Sequence, residues 1–487
     1  MADNFPQRLP GMKDLYSFDI TLHGNILDNI KEFLTLNGFR RIEPPILEKT
    51  ELFLRKFGSD VAPELYTFHE PGGQKVSLRP EFTPSVVRMF ITESPAERLP
   101  IRVQYAGPVF RYEPDDSGFN RQFTQVGGEL IGDSSSLADV EIVYVATRTI
   151  SNEISKTGQV FIQLTLGHIG VVKKLIEQFL IPQRGADLIL GNLGRLKEGT
   201  QGKLVVMELA NHSGLLNSSS SNNDFDVPTS SAKGDAEHQL RKRLTHPGIE
   251  NRLGRRSADE IIERFLRKQE FSNSNKTSHL EEALNFASEL AQINGKIADV
   301  ICEAEALARN YNLDSTPLNE IEEINRGLSL YGLESSVNVS FDFGLQRGID
   351  YYSGIVFEIH PNSESQYPPL ARGGRYDGLI NALGGESQVP ALGFAINLEK
   401  LVSFLPSEYP EIDPKSSLGR VLIIPEGFHS YQQCFKLAEE FRNKGKITEI
   451  TLTEFSEESL KEIAVNSGIE TIIWVNDDGT NKYITIG

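Results

Sequence analysis

The twelve residues RQFTQVGGELIG, Arg121 to Gly132, set the tightest condition on how this chain can fold. Read as a β-strand with side chains alternating between faces, they put Gln125, Gly127 and Glu129 on one side and Thr124, Val126, Gly128 and Leu130 on the other. One face therefore offers an amide and a carboxylate. At about 3.3 Å of rise per residue these lie roughly 13 Å apart along the strand, with no side chain between them. The strand calls for a sheet with one face open to a polar ligand.

The flanking pattern predicts such a sheet. Residues 20–37 space Ile26, Ile30, Phe33 and Leu34 as an opening helix, and Gly38 stops it. Short strand-like runs follow at Arg41 to Glu43, Gln74 to Leu78, Ile101 to Phe110 and Phe123 to Ile131, with turn signals such as Pro71 to Gly73 between them. Consecutive short strands joined by short turns predict an α/β (α+β) domain, a largely antiparallel sheet flanked by helices. The sheet pattern resumes in VSFDFGLQRGIDYYSGIVFEIH (Val339 to His360), ARGGRYDGL (Ala371 to Leu379) and ALGFAINLEKLVSFL (Ala391 to Leu405), so 1–180 and 335–405 read as one core. Residues 181–334 read as a helical insertion, clearest from Leu280 to Leu307, with polar segments at Asn217 to Asp224 and Ser272 to Ser278 that look flexible. Pro406, Pro410 and Pro414 mark a linker over 406–418. Residues 419–487 alternate as βαβαβ, with a helix from Glu457 and a further strand, and predict a small α/β domain with parallel pairing.

Composition narrows the function. The two cysteines, Cys302 and Cys434, fall within amphipathic helical patterns and read as buried small residues, so no disulfide framework or cysteine zinc site is expected. The N-terminus MADNFPQRLPG lacks a basic, apolar signal, and no run approaches the roughly 20 apolar residues of a membrane span, so a cytoplasmic chain without membrane contact is expected. A net charge of −18 argues against nonspecific nucleic-acid binding and leaves room for a local basic groove.

Four stretches carry chemistry. LRPEFTPSVV (Leu78 to Val87) sets Glu81 and Thr83 at a strand end, and GPVFRYE (Gly107 to Glu113) ends a strand in Arg111, a guanidinium suited to an anionic ligand. QRGIDYYSG puts Arg347 and Tyr351 on one face and Asp350 and Tyr352 on the other of an otherwise apolar strand, and such groups need each other or a ligand. GGRYDG adds Arg375 and Asp377 beside glycines. No Ser-His-Asp arrangement, Walker loop or metal-ligand spacing competes with these.

Together RPEFT, GPVFRYE, RQFTQVGGELIG, RGIDYY, ARGGRYDGL and ALGFAINLEKL resemble, in order and spacing, the class II histidyl-tRNA synthetase core over residues 8–175 and 335–405. The resemblance implies that Gln125, Glu129 and Tyr352 hold the imidazole and amino group of histidine, with Glu81 and Thr83 also touching the amino acid and Tyr351 in the same motif. It implies that Arg111 meets an α-phosphate, that Arg347 polarises the reacting carboxylate, and that Pro44 to Phe53 makes a self-dimer interface.

The chain also departs from that pattern. Lys400 stands where an arginine is expected, Phe82 where a glycine is, Thr124 where a histidine is, and Pro114 and Phe119 where arginines are. Lysine keeps the charge but loses the planar fork. RPEFT, FTQVGGELIG and TLGHIGVVKKL (Thr165 to Leu175) are similar to the noncatalytic relative, the regulatory subunit of ATP phosphoribosyltransferase. From Gly419 to Gly487, seven Lys and Arg stand against eleven acids, an unusual balance for an anticodon-binding module. The resemblance thus implies a regulatory subunit of histidine biosynthesis in a hetero-oligomer with a short catalytic chain. It would bind histidine, with no catalytic residue, no metal and no cofactor. The alternative is an active histidyl-tRNA synthetase that uses ATP, magnesium and tRNA.

Overall fold

The strand that carries Gln125 and Glu129 runs through the interior of a nine-stranded sheet. The computed structural model describes residues 7–57, 62–93, 98–114, 120–156, 162–216, 274–333, 337–345, 352–361, 368–385, 388–405, 419–451 and 467–485. Two compact units result, the first chiefly Ile26–Tyr409 and the second chiefly Pro410–Gly487.

In the first unit the strands are β1 (Arg40–Arg41), β2 (Leu47–Lys49), β3 (Thr67–His69), β4 (Lys75–Leu78), β5 (Ile101–Phe110), β6 (Gln122–Ile131), β7 (Gln163–His168), β8 (Asn294–Gly295), β9 (Asn338–Asp342), β10 (Ile355–His360), β11 (Ala371–Arg375) and β12 (Ala391–Asn397). The large sheet has the order β1-β5-β6-β12-β11-β10-β7-β9-β8, and β2-β4-β3 form a separate small sheet. From β5 through β6, β12, β11 and β10 to β7 every pairing is antiparallel, as the short turns predict. The outer pairs β1/β5 and β7/β9 are parallel.

Strand β6 lies between β5 and β12, and the register sets its neighbours. Gly127 faces Tyr105 on one side and Ala395 on the other, and Glu129 faces Val103 and Gly393. One side of the sheet is covered by the helix Ser136–Ser155, which buries Val140, Val143, Ala146, Ile150 and Ile154. Its first turn is capped by Ser135, whose Oγ accepts from the Ala138 amide at 3.3 Å. The helix Ser17–Leu36 ends as expected. Gly38 takes φ +84°, and the Phe39 amide returns to the Leu34 carbonyl at 3.0 Å.

Several expectations change. The sheet pattern read over VSFDFGLQRGIDYYSGIVFEIH is interrupted. β9 stops at Asp342, where its Oδ1 accepts from the Gly344 amide at 2.8 Å and turns the chain. β10 begins only at Ile355 and pairs elsewhere in the sheet, with β7 and β11. Tyr352 precedes that strand and belongs to no strand itself; Arg347, Asp350 and Tyr351 lie outside the described residues. The helix Ser274–Leu290 starts inside the polar SNSNKTS segment, and NSSSSNND, the three-proline linker and the helix expected from Glu457 also lie outside the described residues. Cys302 is exposed, because the helix Ile297–Asn310 turns Val300, Ile301, Ala304 and Leu307 inward and Cys302 away from them; Cys434 is buried.

The second unit has strands β13 (Arg420–Pro425), β14 (Ile447–Ile450), β15 (Ile469–Val475) and β16 (Asn481–Thr485) in the order β14-β13-β15-β16. The first three pair in parallel, and the last turns back antiparallel. The helix Tyr431–Asn443 packs Cys434, Leu437 and Ala438 onto Val421, Ile423 and Ile473. Among the described residues no helix is long and apolar enough to cross a membrane.

Arg375, read from the sequence as a candidate for chemistry, is a structural tie between sheet and helix. Its guanidinium donates to Asp139 at 2.8 Å, to the Asp133 carbonyl at 2.9 Å and to Asp377 at 3.2 Å. Burial pushes the Asp139 carboxyl up to about 6 even against the pull of Arg375. Removing one partner leaves the other charge buried, so Arg375→Met should cost about 3–5 kcal/mol in urea unfolding. A variant as stable as the parent would show the tie to be dispensable.

Candidate functional site

The site is built around Glu129. Its side chain is 1% exposed and lies over Gly393 of β12, where a Cβ would come within 1.6 Å of Oε2. Glycine is required there by close approach. Three hydroxyls converge on the carboxylate. Thr83 Oγ1 donates to Oε1 at 2.8 Å, the Tyr105 hydroxyl donates to Oε1 at 3.1 Å, and the Tyr376 hydroxyl donates to Oε2 at 2.6 Å. Burial raises its carboxyl to about 8, the three hydroxyls pull down against that, and the charge of Glu81 adds to the rise. Among the described residues no cation offsets it.

The space expected above Gly127 is partly filled. Tyr105, directly opposite Gly127, leans over it, and a Cβ at Gly127 would meet the Tyr105 hydroxyl at 2.8 Å. The gap in the strand therefore holds a tyrosine. At the other end Gln125 Oε1 accepts from the Phe82 amide at 3.0 Å, which fixes the orientation of the side-chain amide. Thr83 begins the helix Thr83–Glu93, with Pro84 in its first turn, so its hydroxyl is held by a rigid element.

Glu129, Thr83, Gln125, Tyr376 and Gly393 line a cavity of about 560 Å3, within the usual range for small-molecule sites. Glu81, Thr83, Arg111, Gln125, Glu129 and Tyr352, all expected from the sequence, meet on its walls, and Lys13, Arg372, Tyr376 and Lys400 join them. Arg111 is steered by its Nε, which donates to the Pro80 carbonyl at 2.9 Å. Arg372 donates to Glu358 at 2.8 Å, and His360 sits on the other oxygen of that carboxylate at 3.2 Å. Burial would raise Glu358, but His360 and Arg372 together bring its carboxyl down to about 2. Lys400 lies in the first turn of the helix Leu398–Phe404, where its amide donates to Asn397 Oδ1 at 2.9 Å. Its ammonium is held below the ordinary lysine range by burial, then by the charges of Arg372 and Arg111. Glu399 is turned aside, and both its oxygens accept from the Thr124 amide, at 2.8 and 2.7 Å.

Of the positions where the sequence lacks an expected arginine, Pro114 is exposed and Phe119 lies outside the described residues, as do the candidates Arg347 and Tyr351. Sequence reading missed Tyr105, Tyr376, Arg372 and Lys13. Tyr376 had a signal in the alternation of RYD, which sends Tyr376 to the side opposite Arg375. Arg372 had none without the register that sets it opposite Glu358.

A family model described as histidyl-tRNA synthetase matches residues 11–198 and 233–401. The histidine–tRNA ligase of Thermosipho melanesiensis is 29% identical over 443 residues, covering 90% of this chain and 83% of that protein. That of Fervidobacterium nodosum is 28% identical over 484 residues, covering 99% and 93%. A solved structure from Bacillus halodurans, named as an ATP phosphoribosyltransferase regulatory subunit/histidyl-tRNA synthetase, superposes with a TM-score of 0.63 at 20% identity, covering 96% of this chain and 98% of that one. At that identity the likeness speaks to the fold alone. The expectation that the chain is not an enzyme is corrected by the curated relatives, which are named as ligases. Arginines missing at single positions do not reveal that Arg372 and Lys13 enter the same cavity.

Glu129 gives a pH test free of any ligand. The unfolded carboxyl loses its proton near 4.5 and the folded one near 8, so between those values the folded state binds more protons and stability falls as pH rises. Glu129→Gln should remove this slope, gaining on the parent from pH 5 to pH 8 in urea unfolding. A stability difference that stays constant over that window would mean that Glu129 titrates normally.

Proposed function

The chain belongs to the histidyl-tRNA synthetase family, and from that premise we propose that its cavity binds histidine and ATP and that it acts as a histidine–tRNA ligase. In that reaction a carboxylate oxygen of histidine attacks the α-phosphorus of ATP, giving histidyl adenylate and pyrophosphate. A ribose hydroxyl at the 3′ end of tRNA then attacks the carbonyl and releases AMP. Magnesium enters with the nucleotide.

One observation carries the reading. Glu129 is a buried carboxylate with three hydroxyl donors and, among the described residues, no cation of its own, and it lines the same cavity as Arg111 and Lys400. A ligand that brings a protonated or N–H-bearing ring to Glu129 and a carboxylate or phosphate to the cations satisfies both. Histidine and ATP together have that form. Gln125, Glu81, Thr83 and Tyr352 would take the amino group and the remaining ring contacts. Lys400 in place of arginine supplies a point charge without a fork, so weaker nucleotide binding is expected than an arginine would give. The same reading carries tRNA as partner and self-association through Pro44 to Phe53, where Ile46 and Leu47 are 43% and 40% exposed. The Bacillus halodurans name, at 20% identity, does not raise regulation of an ATP phosphoribosyltransferase above this reading.

The test is histidine-dependent exchange of labelled pyrophosphate into ATP, followed by charging of tRNA. Glu129→Ala should lower kcat/KM for histidine on the order of 100-fold, as expected when one partner of a buried charged contact is removed. Its KM for ATP, measured at saturating histidine, should hold. Histidine binding by calorimetry without any exchange would overturn the ligase reading, and no histidine binding at all would overturn the assignment of the pocket.

A further inference from the structure

Phe82 occupies the position where the sequence pattern expects glycine, and the structure gives its ring two flat neighbours. The ring is fully buried, with the Arg79 guanidinium carbon 3.8 Å from its centroid and the Tyr105 ring stacked at 4.4 Å and 9°. Two groups that close cannot share one face, so Phe82 is sandwiched between them.

Arg79 forms a fixed outer plate. Its Nε donates to the Pro108 carbonyl at 2.9 Å and its Nη1 to the Pro44 carbonyl at 2.7 Å. Gly107 makes room for it, since a Cβ there would lie 2.7 Å from Nη2. On the inner side, Tyr105 reaches Glu129 at 3.1 Å, and the Phe82 amide donates to Gln125 at 3.0 Å. Phe82 thus acts on both polar ends of strand β6 by separate routes, through its ring to Glu129 and through its backbone to Gln125. A side chain held in one rotamer by packing loses little freedom when a ligand arrives.

We infer that Phe82 is a positioning residue. Clamped on Arg79, it presets the plane of Tyr105, and through it the Glu129 carboxylate, for the ring of the bound amino acid. This rests on the histidine reading above and adds to it a residue that touches no substrate. Aromatic stacking is worth about 0.5–1.5 kcal/mol beyond area burial, which corresponds to roughly 2- to 12-fold in affinity.

The experiment is calorimetry on the full chain with histidine, and separately with a non-hydrolysable ATP analogue, for the parent, Phe82→Leu, Tyr105→Phe and the double variant. Leucine keeps the apolar bulk and the backbone bond to Gln125 but removes the flat face. Each single change should weaken histidine roughly 3- to 10-fold. The double variant should be no weaker than Tyr105→Phe, because both changes act on the same hydroxyl. Affinity for the analogue should not move. Losses that multiply in the double variant, or that fall equally on histidine and analogue, would overturn the inference, since either is what a merely structural role gives. Gly107→Ala, whose Cβ would crowd Arg79 Nη2 at 2.7 Å and the edge of the Phe82 ring at 3.4 Å, should reproduce the histidine-selective loss and serves if Phe82→Leu does not fold. A parent chain that takes up the analogue but no histidine would instead overturn the histidine reading itself, and this inference with it.

Discussion

Burying the carboxylate of Glu129 is the constraint on which the rest of the site depends. A carboxylate removed from water is costly unless donors surround it, and here the donors are distant in sequence. Thr83 comes from a helix start, Tyr105 from β5, Tyr376 from the turn after β11, and room for the side chain comes from Gly393 on β12. These can meet only if β6 sits between β5 and β12 with β11 one strand further on, which is the order observed. The antiparallel centre of the sheet is therefore as much a requirement of the carboxylate as its scaffold. Hydroxyls lower the cost, but burial still keeps the carboxyl protonated up to about pH 8, so a cationic partner would favour its charged form.

The part of this that was legible in the sequence follows from periodicity. Alternation alone put Gln125 and Glu129 on one face and identified the strands Ile101–Phe110 and Gln122–Ile131 almost to the residue. What periodicity cannot supply is register, and the missed residues depend on register. Tyr105 matters because it lies opposite Gly127, and Arg372 because it lies opposite Glu358. The sheet pattern of Val339 to His360 is interrupted for a local reason, since Asp342 and Gly344 form a turn whose hydrogen bond hydrophobic patterning does not reveal. Arg375 misled in the opposite direction. An arginine beside glycines looked like chemistry, but its whole fork is used on the start of one helix and the neighbouring turn.

The departures from the family pattern also look different in three dimensions. Reading one position at a time, the loss of arginines at 114 and 119 and the lysine at 400 suggested a dismantled nucleotide site. The cavity instead gathers Lys13, Arg111, Arg372 and Lys400 from four separate segments, so a count along one motif understates the cations available. Phe82 shows the same thing beside Glu129. Read as a lost glycine it was a mark of divergence, yet its ring fills the space between Arg79 and Tyr105 and its amide holds Gln125.

The two kinds of wall in this cavity carry opposite electrostatic strain, and that restricts what can fill it. Lys400 is disfavoured as a cation by its burial and by Arg372 and Arg111, with Glu113 and Glu358 only partly opposing them. Glu129 is disfavoured as an anion by its burial and by Glu81. A neutral ligand would relieve neither, and a lone anion would relieve one while leaving the buried carboxylate protonated. Relief of both requires positive and negative groups to enter the same cavity together. An amino acid with a basic side chain beside a polyphosphate meets that requirement, and each would then improve the field for the other, so the two should bind with positive coupling rather than independently.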